Sequence, residues 1–113
     1  MDIQLFLTLL AGHYLADFAL QPRFMAESKK LVFLRALGFH TLTAHAFIHA
    51  LVAGVLSGSL TVAIIIGMTH WIIDLRASKW VSGKLGKQSD LFGINLDQLL
   101  HVAVIAATVL IVV

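Results

Sequence analysis

The run LTVAIIIGMTHWIIDLRASK, Leu60–Lys79, decides the fold. It is long enough to cross a bilayer, which takes about 20 mostly apolar residues. Two strongly polar residues interrupt it before its basic end, His70 and Asp74. They are four apart, so they stack on one face of a helix, about one turn from each other. A helix of this kind needs protein against its polar stripe and tolerates lipid against the rest.

Three more segments read the same way outward from it. One runs from about Ile3 to Gln21 and stops at Pro22, which lacks the amide proton a continuing helix needs. A second spans about Ala36 to Leu56 and is followed by the turn Ser57-Gly58-Ser59. The last begins near Ile94 and reaches Val113, and from Val102 onward only Thr108 breaks its apolar character. The expectation is an all-α integral membrane four-helix bundle in a single domain, residues 1–113. Helices lie at about 3–21, 36–56, 60–79 and 94–113, with loops at 22–35 and 80–93.

Composition agrees. Apolar residues make up 59% and charged residues 12% of the 113, against roughly 25% charged in soluble domains. With no cysteine, disulfides, thiolate metal sites and cysteine nucleophiles are excluded together. The first apolar run has no basic residue before it, so no cleavable signal is expected.

The net charge of +2 matters less than its placement. Arg23, Lys29, Lys30 and Arg35 lie between the first two helices, and Arg76, Lys79, Lys84 and Lys87 at or after the end of the third. All the basic residues therefore fall on one side. By the positive-inside rule both basic loops are cytoplasmic and both termini lie outside, in a bacterial inner membrane. Residues 24–37 mix large apolar side chains with Lys and Arg, as an interfacial segment does. The second loop, with Gly83, Gly86 and Gly93, reads as irregular.

Each helix carries one ionisable pair at i, i+4: His13 and Asp17, His45 and His49, His70 and Asp74, Asp97 and His101. The first and third helices hold theirs in the second half, the second and fourth in the first half. All eight side chains therefore meet at one level, in the cytoplasmic half of the bundle. The echo of His13-x3-Asp17 in His70-x3-Asp74 suggests two repeated helical hairpins. Each aspartate at mid-membrane costs roughly 2.5–3.5 kcal/mol on insertion scales, so the group must satisfy itself. A divalent metal does so, because it binds carboxylates and neutral imidazoles and its charge offsets theirs. The nitrogen and oxygen ligand set suits zinc first, then manganese or iron, as one or two ions. Ligands beyond one tetrahedral set serve as supporting or acid–base groups. Against this stands the bland reading, in which any one histidine is interhelical glue.

Around the cluster, Gln21 continues the His13–Asp17 stripe and Thr41 the His45–His49 stripe, while Gln98 flanks Asp97 but faces elsewhere. His40 lies off the stripe, at the interface. Gly54 and Gly58 form a GxxxG, a sign of close helix packing or dimerisation.

The order His13-x3-Asp17-Phe18-x2-Gln21, Glu27-Ser28-Lys29-Lys30, His45-x3-His49, His70-x2-Ile73-Asp74 and Asp97-Gln98-x2-His101 resembles a bacterial and phage membrane family known as domain of unknown function 3307. The resemblance covers nearly the whole chain and implies no established activity. Its pattern has a lysine about three residues after the third-helix aspartate. Ala77 stands there in this chain, with Arg76 and Lys79 nearby. The chain has a looser similarity to membrane-bound metal-dependent hydrolases, by analogy alone.

The function expected from these residues is intramembrane metal-dependent hydrolysis of an anionic, lipid-type substrate at the cytoplasmic leaflet. Asp97, His101 and Asp74 are the candidate catalytic groups, and Gln21, Lys29, Lys30, Arg76, Lys79 and Gln98 the candidate substrate contacts. The alternatives are a small ion or proton transporter using the same cluster, a haem electron-transfer protein with two axial histidines, and a membrane partner with no enzymatic role. Membrane lipid is the expected partner and nucleic acid is not. A second copy would help cover so small a bundle.

Overall fold

The computed structural model describes residues 1–29, 36–83 and 87–112, with side chains over those ranges apart from 26, 77–83 and 87–96. Among the described residues the chain is all-helical. Its elements are α1 (Ile3–Tyr14), a π-helical turn (Leu15–Ala19), α2 (Arg23–Ser28), α3 (Ala36–Ser57), α4 (Leu60–Gly83) and α5 (Lys87–Val112).

Local chemistry sets the ends. Asp2 caps α1, its Oδ1 accepting from the Leu5 amide at 3.0 Å. The π turn follows directly, closed by the Leu20 amide on the Leu15 carbonyl at 2.9 Å. Pro22 then starts α2 from an extended backbone, φ −61° and ψ 154°. Between α3 and α4 the reversal needs a left-handed residue, and Gly58 provides it at φ +67°.

Two limits differ from the sequence reading. The third helix runs on to Gly83 and the fourth starts at Lys87, not near Ile94, so most of the loop expected at 80–93 is helical. Hydropathy sees only the part of a helix that is apolar, and the polar run Lys87–Asp90 continues the same hydrogen-bond ladder beyond it. The segment expected to be interfacial holds the short α2, with Phe24 exposed.

Packing splits the interior in two. Leu9, Ala53, Val62, Ile66, Ile105 and Val109 form one buried apolar cluster, with Leu5, Phe6, Leu10 and Val104 against it. In α1 and α4 they precede the His and Asp positions and in α3 and α5 they follow them, so they share one end of the bundle. The other end is buried and polar: His13, Asp17, His45, His49, His70, Asp74 and His101. The outside is apolar instead, with Phe47, Val55 and Ile111 at 70%, 72% and 75% exposure.

α3 and α4 approach closely through small residues. A Cβ added at Gly54 would lie 2.9 Å from the Ala63 Cβ, and one at Gly67 would lie 2.8 Å from the Ala50 Cβ. Gly54 thus packs within the chain and Gly58 makes the turn, which accounts for both glycines of the GxxxG. One helix among the described residues, Ala36–Ser57, is long and apolar enough to cross a membrane; Ile3–Ala19 and Asp97–Val112 are apolar and shorter.

Candidate metal centre

Two carboxylates organise the polar end. Asp17 sits in the π turn, whose wider winding follows α1 directly; such turns recur at functional sites. Its Oδ1 receives Nε2 of His45 and of His49, both at 3.1 Å, and its Oδ2 receives the Gln98 amide at 2.8 Å and faces His13 Nε2 at 3.3 Å. Asp74 is the counterpart in α4. Its Oδ1 faces His101 Nε2 at 3.3 Å, and its Oδ2 accepts from Lys29 Nζ at 2.8 Å and faces His70 Nε2 at 3.2 Å. In each pair of helices the aspartate of the first thus meets histidine of the second. Cross-contacts join the two, His45 to Asp74 at 3.5 Å and His70 to Asp17 at 3.9 Å.

The histidines form one body. His70 stacks between His49 and His101, with ring centroids 3.5 and 4.1 Å away and planes 20° and 17° apart. His13 lies beside His49, His70 and His101. All five rings turn the same atom, Nε2, toward the carboxylates.

Not every near contact is a hydrogen bond. His70 Nε2 is buried without an aligned partner although Asp74 Oδ2 is 3.2 Å away, and Asp97 Oδ1 is buried likewise with His101 Nε2 at 3.5 Å. Buried polar atoms left so cost about 1–3 kcal/mol each. Three overlapping groups bring their donor atoms within 4.8 Å of one another: Asp17, His45, His49 and His70; His13, His70 and His101; Asp74, Asp97 and His101. Such nitrogen and oxygen sets are what a divalent ion takes. Buried His and Asp groups here can therefore hold a metal ion.

All eight paired residues of the sequence reading are brought together. Gln98 is the correction. It bonds both His13, at 2.9 Å, and Asp17 instead of facing elsewhere. Gln98 and His101 are three apart, so they share a face of α5, and that signal was in the sequence. Lys29, expected to face substrate, bonds Asp74. Gln21 donates to the Asp17 carbonyl at 2.9 Å, and its Oε1 is buried without a hydrogen-bond partner among the described residues. His40 and Arg76 are exposed. Thr41 turns back onto its own helix, bonding the Leu37 and Gly38 carbonyls. Arg23 pairs with Glu27 at 2.9 Å in the solvent, and that hydrogen bond raises its guanidinium pKa further. Lys30 and the side chain of Lys79 lie outside the described residues.

No curated protein matches this chain, and no solved structure does. One family model does, over residues 5–113, a span that contains every residue of the cluster: the chain belongs to the family described as "Protein of unknown function (DUF3307)".

Proposed function

We propose that this protein is a membrane-embedded four-helix bundle that holds a divalent metal, zinc in the first place. In this reading it hydrolyses an anionic, lipid-type substrate from the cytoplasmic side. The observation that carries the reading is the convergence of five Nε2 atoms on two buried carboxylates. Five imidazoles and three aspartates are far more polarity than interhelical glue requires, and they sit in one place.

The membrane setting rests on the inverted exterior. Buried positions at one end are His and Asp, while Leu, Ile, Val and Phe face outward along every long helix. In water such a surface would be a large exposed apolar patch. In lipid it is ordinary, and small-residue contacts such as Gly54 with Ala63 are the usual means of close helix packing there. The longest dimension, 41 Å, matches a bilayer with its headgroups, about 40–45 Å. The grouping of every Lys and Arg in the two connecting stretches of the sequence supports a cytoplasmic position for that end.

Asp17, His45 and His49, with His70, form the compact ligand set. A divalent ion there would supply Lewis acidity toward a substrate oxygen. The residues beside it do the proton work. Asp97 is the most open of the clustered carboxylates, its side chain 18% exposed, and it is the general base. His101 lies between Asp97 and Asp74 and carries a proton on Nε2 from one toward the other. Gln98 holds His13 and Asp17 in orientation, as a supporting group does for ligands.

An open apolar groove along α1, lined by Leu7, Ala11, Gly12, Leu15 and Leu56, suits the tail of a lipid. Gly12 also lines the small cavity beside His13 and His49, so the groove reaches the level of the cluster. An ion or proton path is the weaker reading, because the other end of the bundle is closed by the apolar cluster around Val62 and Val109.

The deciding measurement is metal content by mass spectrometry of the detergent-purified protein beside His45→Ala/His49→Ala. Bound zinc, manganese or iron, lost in the double variant, is the expected result. Metal in neither sample, even after reconstitution, overturns the hydrolase reading. Orientation has its own test, a tag at Val113. It should be accessible from outside spheroplasts, and labelling only after lysis would reverse the topology.

A further inference from the structure

Among the described residues Lys29 is the one lysine or arginine bonded within the cluster, and it does not come from the four long helices. It follows α2, beyond Pro22, and reaches Asp74 Oδ2 at 2.8 Å with its side chain 15% exposed. Asp74 also belongs to the group Asp74, Asp97 and His101, whose donor atoms lie within 4.8 Å of one another. We propose that this group is a second divalent-cation position, and that the Lys29 ammonium occupies it in place of a metal. The inference rests on the metal reading of the cluster and divides it into two unequal sites.

Charge balance carries the argument together with geometry. The cluster holds the carboxylates of Asp17, Asp74 and Asp97 among imidazoles that are neutral when they act as ligands. One divalent ion at Asp17, His45, His49 and His70, plus one lysine ammonium, offsets three carboxylates in full. Two divalent ions with Lys29 in place would leave an excess of positive charge in a low-dielectric interior, which is strongly unfavourable. Without Lys29, one ion leaves one net negative charge and two ions leave one net positive charge, against two net positive charges for two ions with Lys29 in place. Its removal therefore makes a second cation at the Asp74–Asp97 end less unfavourable.

The geometry matches that division. Asp97 Oδ1 is buried without a hydrogen-bond partner among the described residues, and His101 Nε2 stands 3.3 Å from Asp74 and 3.5 Å from Asp97. His101 Nε2 thus stands between the two carboxylates, hydrogen-bonded to Asp74 and beside the unpartnered Asp97 oxygen. A lysine ammonium satisfies a carboxylate with its three donors but forms no coordinate bond to an imidazole nitrogen as a metal does. His101 and Asp97 therefore remain available for proton transfer while Lys29 is in place. A small oxygen- and nitrogen-binding ion such as zinc or manganese is the species that would replace it.

The experiment is metal stoichiometry, with zinc and manganese supplied separately, on the wild-type protein, Lys29→Met, Lys29→Arg and Lys29→Met/Asp97→Asn. The expected values are about one ion for wild type, two for Lys29→Met, one for Lys29→Arg and one for the double variant. One ion in Lys29→Met, or two in wild type, overturns the inference and leaves the metal centre standing. Loss of all metal in Lys29→Met alone also overturns it, since Lys29 would then support the first ion. Metal in none of the four removes the centre itself and the inference with it. The retained first ion in Lys29→Met serves as the check that the variant is folded.

Discussion

The two ends of this bundle are built from the same four helices by opposite rules. At one end Leu9, Ala53, Val62, Ile66, Ile105 and Val109 fill the interior with no charged group among them. At the other, one to two turns along each helix, the interior is His and Asp. The apolar end depends on shape: its neighbouring helices touch through Gly54 and Ala63, where a single methyl would collide. The polar end depends on mutual satisfaction, Asp17 and Asp74 each being met by groups from at least three segments. A bundle that only needed to stay together would have used the first rule throughout. Eight ionisable groups gathered at one level, each costly to bury, point to a use for the second end.

The largest effect should come from removing a carboxylate. Asp17 gathers His45, His49, His13 and Gln98, so Asp17→Ala leaves several buried donors unpaired at once. Losing one partner of a buried charged network costs about 3–5 kcal/mol. Asp17→Ala and His45→Ala should each abolish metal retention and lower the melting temperature in detergent, whereas His40→Ala, on an exposed position, should do neither. Equal loss in all three would mean that the substitutions merely unfold the chain, and the contrast between the ends would say nothing about a site.

Next in size is a substitution at the apolar end. Gly54→Val drives side-chain atoms against the Ala63 Cβ, which already lies 2.9 Å from where the first added carbon would sit. Ala63 has no rotamer to give, so α3 and α4 must part, at about 1–3 kcal/mol for overpacking of this kind. The protein that remains folded should keep its full metal content. If metal falls in step with stability, the two ends are one cooperative unit and the division drawn here fails.

How much of this was legible beforehand differs between the same two ends. The polar end was legible nearly residue by residue, because an i, i+4 pair of ionisable groups on an apolar background has one reading in each helix and all four read alike. Gln98 reads as facing elsewhere beside Asp97, although its i, i+3 spacing from His101 puts it on the inner face. Lys29 could not be placed, since a connection after a proline has no period that says where it leads. The helix limits were legible only where hydropathy and helix formation coincide: α3 matched within a residue, while α4 and α5 extend past their apolar stretches to Gly83 and from Lys87. Gly93 inside α5 adds to that difficulty, because an interior glycine costs about 1 kcal/mol against alanine and reads as a break. The π turn at Leu15–Ala19 leaves no trace in spacing, although it carries Asp17.

The smallest effect is the most discriminating. Thr108 is a buried polar residue of the apolar end, and its Oγ1 donates to the Val104 carbonyl one turn back on its own helix. Such a bond links no two helices, and the carbonyl keeps its place in the α5 ladder without it. Thr108→Val preserves the shape and should change stability by less than about 1 kcal/mol, with metal content unaltered. His49→Ala, by contrast, removes one of two imidazoles on Asp17 Oδ1 and should lower both. If thermal unfolding in detergent finds the two substitutions equally damaging, buried polarity is structural at either end of the bundle. The histidines would then lose their claim to a separate role.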